Sequence, residues 1–143
     1  MKNKGGLLIN KINLLTGRNF NKLLKKYNLD VNYPQGKIIF ILSKYEELSI
    51  LNLCKELSLK KSTLTSMLDR LQSKGYINKR ISCDDKRITL VSNTSKASGI
   101  VKAYEEIVSQ LDLTYYYGFN KKEIKDFENY LIKIYSNIEN FEL

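Results

Sequence analysis

Apolar residues recur along most of this chain at the three-and-four spacing of amphipathic helices, and alternate singly over one short stretch. Leu8, Ile12, Leu15, Phe20, Leu23, Leu24 and Tyr27 form a wide stripe that predicts a long helix over 7–27, loosened at Gly17 and too apolar to stand alone. After a loop over 28–33, Pro34 suits the first turn of a second helix, which carries Ile38, Ile39, Ile41 and Leu42 and ends near Ser43. Ile50, Leu53, Cys54 and Leu57 place a third helix over 49–57, and Leu64, Met67, Leu68 and Leu71 a fourth over 62–74. Residues 58–61 suffice only for a tight turn, so the pair reads as a helix-turn-helix. Gly75 stands where a C-cap residue with positive φ is wanted. Beyond it, 76–81 and 87–91 read as the two strands of a hairpin turned at 82–86, to which Leu48 and Ser49 can add a short third strand.

The pattern then returns to helix. Thr94 suits the N-cap of a helix over 95–113, in which Ala97, Ile100, Val101, Tyr104, Ile107, Val108 and Leu111 share one face. Gly118 breaks it. A last helix is announced twice, by a capping box of Asn120 with Glu123 and a hydrophobic staple of Phe119 with Ile124. Within it Ile124, Phe127, Leu131, Ile134 and Ile138 recur at spacings of three and four, a seam for another helix.

The fourth helix has two faces. Opposite its leucines lie Ser62, Ser66, Asp69 and Ser73, flanked by Thr63, Thr65 and Arg70, so its N-terminal half offers short hydroxyls that reach base edges without long stems to order. The hairpin tip, Cys83-Asp84-Asp85-Lys86-Arg87, sets two cations beside two carboxylates at the point most able to enter a groove. Charge follows the same geography. The formal net charge is +9, and abundant Lys, Asn and Ile make biased composition a sufficient reason for some of it. Between Lys55 and Arg87, however, nine cations face four anions, and three of the four arginines lie there. The guanidinium fork suits phosphate and narrow-groove contacts, which points to a nucleic-acid footprint rather than a merely solvated face.

Taken together, Asp69-Arg70-Leu71, Lys74-Gly75, Tyr76-Ile77, Lys79-Arg80 and Asp85-Lys86-Arg87 resemble, without a gap, the pattern of the MarR family of transcription regulators. The resemblance implies a mainly α fold with a small antiparallel β-wing, a winged helix-turn-helix over about 34–93 flanked by dimerisation helices over 7–27 and 95–139, with 1–143 a single domain. It implies that Ser62, Thr63, Thr65, Ser66 and Arg70 face the major groove of double-stranded DNA. Lys60, Lys61, Lys79, Arg80 and Lys86 would serve phosphates and the wing, with Arg87 inserted in the minor groove and held there by Asp85. It further implies a homodimer, through Leu8, Ile12, Leu15, Phe127, Leu131, Ile134 and Ile138, that represses by occupying a palindrome. Four positions depart from the family: Ser66 and Lys79 where Arg is favoured, Asn93 for Leu, and Ala97 for Gly. The first bears on which operator is read, not on the fold.

The residues leave alternatives open. The terminal helices can close a monomer's core instead of interlocking with a second subunit. Tyr27, Tyr33 and Tyr104, with Tyr115, Tyr116 and Tyr117, can line a pocket for a small aromatic effector, or simply pack with satisfied hydroxyls. Cys83 is either a redox-sensing thiol or an ordinary exposed residue, and Cys54 belongs to a core face. A winged helix used only for protein contacts would explain the core spacing but neither Arg87 nor the hydroxyl face. With no histidine, no nucleophile–base pair and no glycine-rich phosphate loop, neither an enzyme, a metal site nor a cofactor is expected. The N-terminus lacks a signal-like run and no span is apolar enough for a membrane helix, so the expected compartment is the cytoplasm.

Overall fold

A computed structural model describes residues 3–142. The chain runs α1 (Gly5–Lys26), α2 (Tyr33–Leu42), β1 (Leu48–Ser49), α3 (Ile50–Leu57), α4 (Lys61–Ser73), β2 (Ile77–Ile81), β3 (Thr89–Asn93), α5 (Ser98–Tyr115) and α6 (Lys121–Glu139), with a 3-10 turn at Ser95–Ala97. It is mainly helical with a small antiparallel sheet, as expected, and the short β1 joins the hairpin on the β3 side in the order β1-β3-β2. Two compact units divide between Val108 and Ser109.

In the first unit the helix-turn-helix closes on its own leucines. Leu53 of α3 and Leu64, Leu68 and Leu71 of α4 are fully buried, and they meet Ile38, Ile39 and Leu42 of α2 and Ile77 and Val91 of the sheet. Each such side chain contributes roughly 1.5–3 kcal/mol by leaving water, so this cluster fixes where the outer face of α4 points. The helix starts are locally encoded. Asn32 and Gln35 form a capping box on α2, with the Gln35 N–H donating to Asn32 Oδ1 at 3.0 Å and the Asn32 N–H to Gln35 Oε1 at 3.1 Å. The loop expected over 28–33 therefore ends at Asn32, one residue earlier, and its last residue is the helix cap. Ser49 caps α3 by accepting from the Asn52 N–H. Gly75 takes φ +81°, the left-handed conformation its position after α4 requires.

Two expectations change at the end of the sheet. Thr94 stands at the N-cap position before Ser95 but does not cap with its side chain: its Oγ1 donates to the Gly75 carbonyl at 2.6 Å, its own N–H reaches the Tyr76 carbonyl, and the chain makes a 3-10 turn before α5 starts at Ser98. The second strand begins at Thr89, not at 87, because the Arg87 N–H is taken by Asp85 Oδ1 and the Ile88 N–H by the Asp85 carbonyl. Those amides close the turn and cannot join the ladder. Next to this junction, Asn93 Nδ2 donates to the Ile39 carbonyl at 2.9 Å, while its Oδ1 is buried with no hydrogen-bond partner among the described residues. An unpaired buried acceptor costs about 1–3 kcal/mol. The Ile39 carbonyl also accepts from the Ser43 N–H. Asn93→Leu is thus expected to stabilise the fold by about 1 kcal/mol, read as a higher midpoint in urea; a lower midpoint would refute the account.

A polar latch joins α4, the wing root and the loop before α2. The Tyr76 hydroxyl donates to Asp30 Oδ1, the Lys74 ammonium to the Asp30 carbonyl, and Lys96 lies over the Tyr76 ring at 4.6 Å. Burial, then the neighbouring carboxylate, pushes the Tyr76 phenol up to about 12 from its ordinary 10.0, and the Tyr76 bond holds the Asp30 carboxyl below its usual range. A raised folded-state pKa means stability fully present below pH 10 and lost as pH rises towards 12. Tyr76→Phe should therefore lower stability at neutral pH by about 1 kcal/mol. The gap between variant and parent should then close between pH 10 and pH 12. A gap unchanged by pH in equilibrium unfolding would count against the latch.

α1 is covered only towards its C-terminal end. Phe20 and Leu24 are buried, whereas Leu8, Ile12 and Leu15 are about half exposed. In the second unit α6 opens on the expected capping box, with the Glu123 N–H donating to Asn120 Oδ1 at 2.8 Å and the Asn120 N–H to Glu123 Oε2 at 3.0 Å. Tyr116, Phe119 and Phe127 meet edge to face, and the Tyr116 hydroxyl donates to Glu128. No described residue of α6 is fully buried: Leu131 is half-buried, and Phe127, Ile134 and Ile138 are exposed. No helix among the described residues is long and apolar enough to cross a membrane.

Candidate nucleic-acid interface

The leucine face of α4 decides which residues are left for solvent. With Leu64, Leu68 and Leu71 in the core, Ser62, Thr63, Ser66 and Arg70 are exposed on the outer face, with Lys60 and Lys61 exposed at its N-terminal end. Thr65 is half-buried and stands at the margin of that face.

The wing tip is built by short side chains. Ser82, almost fully buried, accepts from the N–H groups of Asp84 and Asp85 through its Oγ, and its own N–H donates to the Ile88 carbonyl. This turn presents the Asp85 carboxylate to Arg87, which forks onto it through Nε (3.1 Å to Oδ1) and Nη2 (3.0 Å to Oδ2). The Arg87 guanidinium beside it holds the Asp85 carboxyl below the usual carboxylate range. Only the carboxylate side of the fork is occupied: the Arg87 side chain stays 90% exposed, so the guanidinium is oriented without being buried. Lys86 is exposed alongside.

Lys79 and Arg80 are not the free cations that their place in a basic strand suggests. Period-two alternation puts Lys79 on the same face as buried Ile77 and opposite Val91, so it turns inward and pairs with Asp69 of α4. Arg80 faces the other way and is bound in a bidentate pair by Glu47, whose carboxyl is held below its ordinary range by that guanidinium. The Cys83 Sγ lies 3.9 Å from Arg80 Nη1, and Cys83 is exposed while Cys54 is buried. Asp69 thus ties α4 to the wing, and Glu47 ties the wing to the segment before β1. Glu47 carries no signal in the sequence, since its partner lies 33 positions away and is brought near only by the β1-β3-β2 order.

The tyrosines separate. Tyr104 is 4% exposed, its ring packed against Phe20 and Phe40 at centroid distances of 4.6 and 4.7 Å, and so close to Gly36 that a Cβ there would meet it at 3.2 Å. Burial raises its phenol pKa. Tyr104 is core and lines no open pocket of which Tyr33 is part, and Tyr27 is held on the surface by donating to Glu106 at 2.8 Å. Tyr33 does line a groove, of ≈ 460 Å³, together with Leu14, Arg18, Pro34 and Lys37. Tyr115 and Tyr117 are exposed, and Tyr116 joins the aromatic cluster of the second unit. Among the described residues no group of three His, Cys, Asp or Glu side chains is placed to hold a metal ion.

Known proteins share this arrangement. The MarR family model matches residues 31–89, the stretch from the loop before α2 to the start of β3. The transcriptional repressor IacR of Pseudomonas putida is 26% identical over 122 residues, covering 85% of this chain and 72% of that protein. The multiple antibiotic resistance protein MarR of Escherichia coli is 31% identical over 105 residues, covering 73% of this chain and 72% of that one. A crystal structure of a mutant of the same E. coli protein, complexed with operator DNA, superposes with a TM-score of 0.80 at 30% identity, covering 90% of this chain and 91% of that one. The fold superposes over nine-tenths of the chain at 30% identity, and the sequence match to the same protein is 31%, so the chain belongs to the MarR family, as a winged-helix transcription regulator.

Proposed function

We propose that this regulator binds double-stranded DNA as a homodimer and represses by occupying an inverted repeat. The observation that carries the reading is the Asp85–Arg87 fork, an exposed guanidinium held in one orientation at the wing tip. Such a group suits a narrow minor groove, where negative potential is strongest. Beside it in the same unit, Ser62, Thr63 and Ser66 supply exposed hydroxyls for base edges, with Thr65 at the margin and Arg70 on the same outer face towards the major groove, and Lys60, Lys61 and Lys86 supply charge for phosphates. Lys79 and Arg80 serve indirectly, by fixing the wing against α4 and the β1 approach. A homodimer is supported by the uncovered apolar residues Leu8, Ile12 and Leu15 on α1 and Phe127, Ile134 and Ile138 on α6, with Leu131 between them. Two copies about a twofold axis would present two recognition helices one helical turn apart. A small aromatic effector would enter the groove beside Tyr33, and the protein would act in the cytoplasm, where its operator lies.

The test is a fluorescence-anisotropy titration of a randomised duplex pool against a selected inverted repeat over a series of salt concentrations. Tight binding of the repeat at two chains per duplex is expected, with affinity falling steeply as salt rises. Absence of duplex binding at low salt would overturn the proposal and point to a winged helix that contacts protein.

A further inference from the structure

A second groove, of ≈ 650 Å³, lies where the end of α1 and the loop before α2 face the C-terminal half of α4. Its volume falls in the range of small-ligand sites, roughly 300–1,000 Å³. Three carboxamides line it, and each has its oxygen committed. Asn21 Oδ1 accepts from the Tyr33 N–H at 2.8 Å, Asn32 Oδ1 from the Gln35 N–H at 3.0 Å, and Gln35 Oε1 from the Asn32 N–H at 3.1 Å. Because a backbone N–H can only be met by oxygen, the two ends of each amide are settled, and the polar group left to offer the groove is in every case an NH₂ donor. Gln35 is 93% withdrawn from solvent at 7% exposure, so its amide is held in place by its surroundings.

The charges point the same way. Lys25 and Arg70 line the groove, and neither has an ion-pair partner among the described residues. The carboxylate present, Asp30, is engaged by the Tyr76 hydroxyl and by Lys74, whose Nζ also stands 3.9 Å from Asp30 Oδ2. What remains is a concave surface in which donors and cations outnumber the single carboxylate, whose charge is met by Lys74.

We propose that this groove binds a small, multiply charged oxyanion, of the phosphate-ester or pyrophosphate class. Several acceptor oxygens on one compact group match the fork of Arg70, the ammonium of Lys25 and the amide donors together, and charge-assisted bonds of this kind are about twice as strong as neutral ones. A monocarboxylate on an apolar ring satisfies fewer of them. Arg70 also belongs to the outer face of α4, so an oxyanion held here competes with a duplex for that guanidinium. This competition rests on the DNA-reading proposal above, whereas the binding itself does not.

The experiment is isothermal titration calorimetry of the full chain with sodium pyrophosphate, without DNA, at ionic strength fixed with chloride. One site per chain is expected, weakened about tenfold in Lys25→Gln, an exposed position whose replacement leaves the fold intact. No binding up to about 10 mM pyrophosphate, or equal binding by parent and variant, would overturn the site. A second arm measures duplex affinity with and without pyrophosphate. Weaker duplex binding in the parent, with Lys25→Gln unaffected and equal to the parent when pyrophosphate is absent, is the expected result. If Lys25→Gln instead weakens duplex binding as much as pyrophosphate binding, the groove serves a DNA phosphate and the free-ligand proposal falls. If the parent binds no duplex at all, the DNA-reading proposal fails, and calorimetry alone decides the site.

Discussion

Arg87→Ala is expected to weaken duplex binding by about 1–3 kcal/mol per half-site, roughly five- to 150-fold, and to do so almost equally for every sequence. The reason lies in how the side chain is held. Its 90% exposure means that little is lost from the folded state when it is removed, so a fall in affinity reports the lost groove contact and not a damaged wing. Arg87→Lys keeps the charge but not the planar fork, and should recover only part of the loss. Asp85→Asn separates orientation from charge. If Asp85 merely neutralises Arg87, removing the carboxylate adds net positive charge and raises affinity. If it orients the guanidinium, through the bonds at 3.1 and 3.0 Å, affinity falls in spite of the added charge. We expect the fall. A titration at fixed salt in which Arg87→Ala binds as the parent does would remove the wing tip from the interface.

The parts of this molecule that were legible in the sequence are those decided within a few residues or by a single period. The leucine spacing of α4 fixed its buried face, and the Asn120–Glu123 box fixed the start of α6, because both partners lie on one turn of helix. The Asn32–Gln35 box had the same spacing and was legible in principle, but its polar residues read equally as loop. What escaped depends on pairings across the fold. Thr94 has the side chain of a cap, yet its hydroxyl finds the Gly75 carbonyl, 19 positions away. Lys79 and Arg80 look alike in a basic strand, but the pleat sends one to Asp69 and the other to Glu47. Tyr104 shares its residue type with Tyr33 and differs only in what packs on it, and nothing short of the tertiary neighbours separates a core ring from a groove wall. At the candidate site, composition therefore pointed to α4 and the wing, while the sheet order determined which of their cations are paired.

Charging the uncovered stripe of α1 should have the largest effect of all. Ile12→Glu, or independently Ile134→Glu on α6, is expected to convert a dimer to a monomer in light scattering and to reduce affinity for the inverted repeat by roughly 10²–10⁴, the factor that joining two half-site readers contributes. Ile12 is 50% exposed and Ile134 38% exposed, so neither substitution buries a charge within one chain, and far-UV circular dichroism should be nearly unchanged. A glutamate brought against a partner's apolar helix has no such escape, because an unpaired charge in an apolar contact is strongly disfavoured. A single half-site should respond much less than the full repeat, since one reading head is intact in either state. That difference distinguishes loss of the dimer from loss of the fold, which would abolish both. Were the parent chain monomeric at micromolar concentration and still tight on the repeat, or the charged variants still dimeric, the terminal helices would be closing some other surface, and the two-headed reading of the operator would have to be abandoned.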